Sequence, residues 1–415
     1  MTVKFNQLFF LSLLFFISCS PPVVYSSKAT PPSRTNSLPI QKNAHWLNKW
    51  KALAKGKPTV FRIVQLGDSH TAGDFFTNTI RHRLQKRFGN AGIGWVYPAK
   101  VNGQRQAKMS YRNDHWQTFT SRRQERRDFP LGGIIAANDG AGKVTLASRN
   151  STNNRQKITL MFKAMVVGSP LTIVDGSGYK NTIEPDDRLN RGQWQYQTIT
   201  AQLPFSYHCA EDDRWQLGYL NIENQRPGVT VSAFGINGAQ LKEVLKWRRS
   251  WPQDLSRTQA DLVILSYGTN EAFDDRLDAD KTRRLWRDTI RRIKRALPQA
   301  GILIVGAPES LVNQDGDCGV RPPALDTIQA IQRDIANAEG ILYWSWEKAM
   351  GGRCSMKKQI RLDLARRDGV HFSAAGYETA ANQLADYLIA LSGATNRHNP
   401  SKSQQVKGYF SPRLP

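Results

Sequence analysis

Apolar and polar positions follow two different rhythms along this chain. The run TVFRIVQL (59–66) is apolar at most positions and reads as a strand buried on both faces. Phe76, Ile80, Leu84 and Phe88 follow at helical spacing, with Gly89 as a stop. The same order of strand, loop and helix returns late in the chain. ADLVILSYG lies near 260–268, a helix near 279–296, GILIVGAP near 301–308 and another helix near 323–337. ILYWSW then gives a strand, and Tyr377, Ala381, Leu384, Leu388 and Leu391 mark a last helix after Ser373. GVTVSAFGINGAQ (228–240) belongs to the same set. Strands alternating with helices predict a parallel sheet covered on both faces, a three-layer α/β/α arrangement.

Between about Gly103 and Pro227 the period drops to two. Ile158, Leu160 and Phe162 alternate with polar residues, as do Trp194, Tyr196 and Thr198, then Trp215, Leu217 and Tyr219, with Gly, Pro, Asn and Asp between the runs. This predicts an inserted all-β sandwich of jelly-roll type. The expected layout is an α/β domain over 46–102 and 228–394, interrupted by a β insert over 103–227.

The ends read differently. MTVKFNQLFFLSLLFFISCS combines one lysine, an apolar run from Leu8 to Ile17 and terminal small residues, the pattern of an export signal over 1–19. That run is too short to span a bilayer. FISC (16–19) also resembles a lipoprotein processing site that would lipidate Cys19; a plain cleaved signal is the alternative. Both predict a periplasmic or outer-membrane-associated protein. Residues 20–45 and 395–415, polar and without apolar periodicity, read as a flexible linker and a tail.

Composition narrows the classes. At 415 residues, 40% hydrophobic and 10% aromatic, the chain can bury a sizeable core and is not a disordered protein. Lys plus Arg number 58 against 34 Asp plus Glu, a formal charge of +24, which favours polyanionic partners. RRQERR (122–127) and RRLWRDTIRRIKR (283–295) carry no nucleic-acid-binding signature, so anionic envelope polymers or a membrane surface are the expected contacts. Cys318 in GDCG and Cys354 in GGRC lie in loop sequence and are expected to pair; Cys209 is then a buried thiol. No spacing of His and Cys suggests a metal site, and no cofactor is implied.

The chemistry begins at IVQLGDSHTAGD (63–74), where an apolar run delivers Ser69 to a loop. A serine nucleophile needs a base, an acid to orient that base, and donors for an oxyanion. RRDGVHFSAAGY (366–377) supplies His371 with Asp368 three residues before it; a turn-capping aspartate beside a surface histidine is the blander reading. Gly238 in GINGAQ and Asn270 in SYGTNEA each follow a parallel strand, where open α/β sheets bind ligands. Ordinary turn chemistry is the alternative for either taken alone.

Together, G-D-S, a later Gly, G-x-N and D-x-x-H in this order resemble the SGNH (GDSL-type) hydrolases. The resemblance implies Ser69 as nucleophile, His371 as general base and acid, Asp368 as its orienter, and Gly238 and Asn270 in the oxyanion hole beside the Ser69 N–H. Two positions depart from the family pattern: His70 stands where leucine is usual, and Glu271 where many members have aspartate. His70 is expected to line or pack the site, because adjacent side chains diverge. IVQLGDSHTAGDFFTNTIRHRLQKRFGNAGIGWVYPA, YGTNEAF and DGVHFSAAGY look like the peptidoglycan O-acetylesterases of Gram-negative bacteria, over about Trp46 to Leu391. That similarity implies an exported esterase acting on the C6 hydroxyl of N-acetylmuramic acid through an acetyl-serine, with a carbohydrate-binding-module-like insert. Two alternatives stay open: the same site acting on another O-acetylated polysaccharide or lipid ester, and a non-catalytic envelope-binding protein. If the insert is a binding module, its deletion should hurt action on polymer more than on a small ester.

Overall fold

The computed structural model describes residues 45–125, 127–150, 154–166, 168–185 and 192–394, all within one compact unit. The expected signal, Cys19, most of the linker and the tail lie outside the described residues. Among the described residues no helix is long and apolar enough to cross a membrane.

Among the described residues fourteen strands build two sheets. The first five in chain order are β1 (Val60–Gly67), β2 (Gly92–Val96), β3 (Met109–Thr120), β4 (Ile134–Ser148) and β5 (Arg155–Val166). Next come β6 (Leu171–Val174), β7 (Lys180–Ile183), β8 (Gln195–Gln202), β9 (Phe205–Cys209) and β10 (Arg214–Glu223). The last four are β11 (Gly228–Gly235), β12 (Leu262–Ser266), β13 (Gly301–Gly306) and β14 (Leu342–Ser345). The five predicted strands of the α/β layer are β1, β11, β12, β13 and β14. They form one parallel sheet in the order β11-β1-β12-β13-β14.

Alternation along each strand sorts its side chains between two layers. Phe61, Ile63, Ile264 and Leu303 pack with Trp50, Ile80 and Leu384 from helices His45–Ala54, Phe76–Phe88 and Ala374–Leu391. Val64, Leu66, Val263 and Ile304 face the other way, onto Trp251, Trp286, Ile290 and Ile331 from helices Trp251–Arg257, Ala279–Ala296 and Leu325–Glu339. Every residue of β11, β12 and β13 is buried, as strands covered on both faces must be. Each fully buried aliphatic of this kind is worth about 1.5–3 kcal/mol, so the sheet is the rigid base on which the loops stand.

The period-two region supplies eight strands, β3 to β10, of a separate antiparallel sheet whose ninth strand is β2. Its long strands change partners along their length. β4 pairs with β3 over Ile134–Asn138 and Lys143–Ser148, with β10 at Ala136 and Ala137, and with β9 from Gly142 to Leu146. β10 pairs with β5, and gains β2 at its far end. The sheet thereby wraps around its own core of Leu146, Ile158, Leu160, Tyr207 and Trp215.

The expected boundary at residue 103 falls too late. β2 belongs to the antiparallel sheet, where Trp95 and Val96 pair with Asn221 and Leu220. GIGWV follows the helix Phe76–Phe88 after only three residues, so its local sequence looks like the α/β layer. Cys318 and Cys354 are joined by a disulfide, and Cys209 is a buried free thiol, as expected.

Candidate active site

The site is built where three neighbouring parallel strands end. Gly67 of β1 pairs with Gly235 of β11 on one side and Ser266 of β12 on the other. The loops carrying Ser69, Gly238 and Asn270 therefore leave the same sheet edge. Gly67 is required there, because a Cβ would lie 2.2 Å from the Thr71 hydroxyl and 2.6 Å from the Ser266 carbonyl. The chain turns at once into the short helix Ser69–Ala72, whose N-cap is Asp68 accepting from the His70 N–H at 3.0 Å. Ser69 is half-buried at the start of that helix.

The fourth participant arrives from the far end of the sequence. His371 Nε2 lies 3.0 Å from Ser69 Oγ. On the other side of the ring, His371 Nδ1 lies 2.9 Å from Asp368 Oδ2. Asp368 Oδ1 accepts from the backbone N–H groups of Val370 and His371, each at 2.9 Å. Burial works against ionising Asp368, but these N–H groups and the imidazole outweigh it and hold the carboxyl below the usual range. The segment is pinned at several points: Arg366 N–H donates to the His371 carbonyl, and Leu311 N–H to that of Gly369.

The other two loops are tied to each other. Asn270 Nδ2 donates to the Ala239 carbonyl at 2.9 Å, which fixes the amide and leaves its second hydrogen for another acceptor. Gln240 Nε2 donates back to the Asn270 carbonyl at 3.1 Å. Glu271 is buried and accepts from two backbone groups, Leu241 N–H at 2.7 Å and Gly268 N–H at 3.1 Å. Gly238 itself has φ of +73°, a conformation that glycine adopts without strain. Its carbonyl accepts from Arg122 Nε at 2.9 Å.

Electrostatics separate the two histidines. His70 is buried, its Nδ1 lies 2.8 Å from the Tyr377 hydroxyl, and its ring packs near those of Trp346, Phe372 and His371. Burial, aided by the neighbouring imidazole of His371, pushes its pKa down to about 3. It is therefore neutral near pH 7, and it packs the site as its position beside Ser69 suggested. Burial also raises the Asp68 and Glu271 carboxyls to about 7, against the N–H groups they accept, with the charge of Glu271 adding to the effect on Asp68.

The structure thus brings Ser69, His371 and Asp368 into one hydrogen-bonded line and sets Gly238 and Asn270 on adjoining loops. Four supports escaped sequence reading. Asp68 and Tyr377 gave no signal apart from their place in the quoted motifs, Arg122 was visible only as part of the basic run 122–127, and Glu271 only as a departure from the family letter. With Asp368 and His371 keeping 45% and 34% of their side-chain surface, the line is open to solvent and suits a substrate too large to enclose.

The chain is similar to known acyl hydrolases. Residues 91–206 match a family described as peptidoglycan O-acetylesterase, N-terminal, and residues 199–379 match the GDSL-like lipase/acylhydrolase family. The second match includes Gly238, Asn270, Asp368 and His371, whereas Ser69 precedes both. A solved structure of a peptidoglycan O-acetylesterase is 47% identical, with 85% of this chain and 97% of that one covered and a TM-score of 0.78. A family two carbohydrate esterase from Cellvibrio japonicus is 12% identical over 69% of this chain and 99% of its own, with a TM-score of 0.27. A putative GDSL-like lipase from Parabacteroides merdae is 18% identical over 40% and 73%, with a TM-score of 0.31. No curated protein matches.

Proposed function

Because the chain belongs to the peptidoglycan O-acetylesterase family of GDSL-type hydrolases, we propose that it removes acetyl from the C6 hydroxyl of N-acetylmuramic acid in peptidoglycan, using Ser69 as nucleophile. The observation that carries this reading is the line Ser69 Oγ, His371, Asp368, with 3.0 and 2.9 Å between successive heavy atoms. It is the arrangement a serine needs to become a nucleophile at neutral pH.

The steps follow from the geometry. Asp368, held ionised, accepts from His371 Nδ1 and so leaves Nε2 as the proton acceptor facing Ser69. As Ser69 Oγ attacks the acetyl carbonyl, its proton passes to Nε2, and Asp368 steadies the imidazolium. The oxyanion is met by the backbone N–H groups of Ser69 and Gly238 and by the second hydrogen of the Asn270 amide. Collapse of this intermediate breaks the bond to the sugar oxygen, which takes the proton back from Nε2. Water then attacks the acetyl-serine with the same histidine as base, and acetate leaves.

The substrate places the work of the enzyme in the cell envelope. A cleaved signal over 1–19 and a lipid on Cys19 are parts of this proposal that mass spectrometry of the mature N-terminus would test. The central test is acetate release from O-acetylated peptidoglycan by the wild type and by Ser69→Ala. Release that disappears in the variant is the expected result. Ser69-dependent cleavage of a small acetyl ester with none from peptidoglycan would keep the mechanism and overturn the substrate.

A further inference from the structure

A cleft of about 240 Å³ opens beside the Gly238 loop, where the antiparallel sheet meets the parallel one. Asn102, Gln104, Thr120, Arg122, Arg123 and Asn237 are among its walls. The walls are locked in place. Gln104 Oε1 accepts from the Asn237 N–H at 3.1 Å, and the Gly103 carbonyl accepts from Asn237 Nδ2 at 2.6 Å. Arg123 N–H donates to the Thr120 carbonyl at 3.1 Å.

The charge in this cleft is not balanced internally. The carboxylates close to the 121–128 loop already have cations: Lys246 lies 3.6 Å from Glu243 and 3.9 Å from Glu125, and Lys163 lies 2.9 Å from Asp128. The charge of Arg122 also acts on Glu243 from beyond ion-pair distance, and among the described residues neither Arg122 nor Arg123 has a carboxylate within that distance. Arg122 spends its Nε on the Gly238 carbonyl, so the two terminal nitrogens of its fork remain for a ligand. A fork of this kind fits a carboxylate. An anion held there would sit one arginine side chain away from the residue whose N–H is proposed to meet the oxyanion.

We propose that this cleft is an anion subsite that binds a carboxylate carried by the substrate beside the acetylated sugar. The inference rests on the peptidoglycan reading above. In that polymer the acetylated sugar bears a lactyl arm whose carboxyl is either free or extended by a peptide that has carboxylates of its own. Engaging that charge seats the sugar so that its acetyl group faces Ser69. It also braces the Gly238 loop through Arg122. The net charge of +24 draws such substrates toward the protein, and the two arginines give that general attraction a fixed address.

The test compares acetate release from O-acetylated glycan fragments in three forms: stem peptides intact, stems removed to leave free lactyl carboxylates, and all carboxylates capped as methylamides. The whole protein is used, as wild type and as Arg123→Gln, with circular dichroism to confirm that the variant is folded. The expected result is a kcat/KM about tenfold higher on a carboxylate form than on the capped form in the wild type, collapsing toward parity in Arg123→Gln. Whichever carboxylate form keeps the advantage identifies its source. Equal cleavage of capped and uncapped fragments by the wild type overturns the subsite and leaves the esterase standing. A full preference surviving in folded Arg123→Gln overturns it as well. Acetate release from none of the three overturns the peptidoglycan reading together with the subsite.

Discussion

Replacing Glu271 by glutamine separates what this residue does for stability from what it does for catalysis. Glu271 begins at an ordinary 4.5 and burial lifts it to about 7. Between those values the folded protein keeps a proton that the unfolded chain has released. Stability is therefore full below about pH 4.5 and falls as pH rises toward about 7. At about 1.4 kcal/mol per pH unit, this group costs the wild type about 3 kcal/mol across that window. Glutamine carries no titrating proton and escapes that loss. The charge of Glu271 also helps to raise Asp68, so its removal adds in the same direction. His70, whose depressed pKa makes stability fall as pH drops from about 6.5 toward 3, acts equally in both proteins and cancels in the difference.

The stability of Glu271→Gln relative to the wild type should thus rise by about 3 kcal/mol between about pH 4.5 and pH 7.5, as read from urea unfolding at several pH values. Catalysis should move the other way. One oxygen remains to accept an N–H, so either Leu241 or Gly268 loses its acceptor, and the join between the loops that carry Gly238 and Asn270 is loosened, although the bonds of Asn270 Nδ2 and Gln240 Nε2 still cross it. A fall of about tenfold in kcat is expected near pH 8, from misplacement rather than from loss of a reacting group. Parallel stability profiles for the two proteins would refute the buried-carboxyl argument. Unchanged kcat would refute the clamp.

Other variants probe the remaining parts. Asn270→Ala should fold and lose about 10²- to 10³-fold in turnover, measured as acetate release; near-full turnover would remove Asn270 from the oxyanion hole. Cys318→Ser opens a disulfide that spans 36 residues and should cost about 3–4 kcal/mol in chemical unfolding. Its effect on activity should be smaller than that of Asn270→Ala, because the bonds from Leu311 N–H to the Gly369 carbonyl and from Gln314 Nε2 to the Arg367 carbonyl, which help to pin the His371 segment, come from residues before Cys318.

How much of this could be read from the chain depends on how local each signal is. β1, β11, β12, β13 and β14 were legible because burial on both faces leaves an unbroken apolar run. The helices over 76–88 and 374–391 were legible because one apolar face repeats every three to four residues. Ser69, Asn270 and His371 were legible because each follows its strand or precedes its helix within a few residues. Glu271 was not legible as a clamp, since Leu241, its partner on the other loop, lies 30 residues away and only the folded sheet edge brings the two together. β2 was misplaced for the same reason. Its five residues look like part of the α/β layer, and only pairing with β10 more than a hundred residues later assigns them to the other sheet.

That pairing changes how the antiparallel sheet can be tested. Deleting residues 103–227 is expected to weaken action on polymer more than on a small ester if they form a detachable binding module. The structure makes the two sheets inseparable at several points. Trp95, Phe129, Ile135, Met161 and Tyr219 share one core with Val64, Leu66, Phe234, Trp247 and Trp251, so the cut would expose the face of the parallel sheet. Buried Asp74, five residues after Ser69, accepts from the Ala107 N–H at 2.7 Å while it holds Thr77 and Arg81, and the Ala72 carbonyl accepts from the Arg105 N–H. Arg122, in turn, grips the Gly238 carbonyl. A deletion would strip support from the nucleophile helix and from the oxyanion loop at once, and both substrates would suffer whatever the sheet binds. Equal loss would then not mean that the sheet is merely structural. Only point substitutions on its surface, such as Arg123→Gln, can divide recognition of the polymer from the chemistry at Ser69.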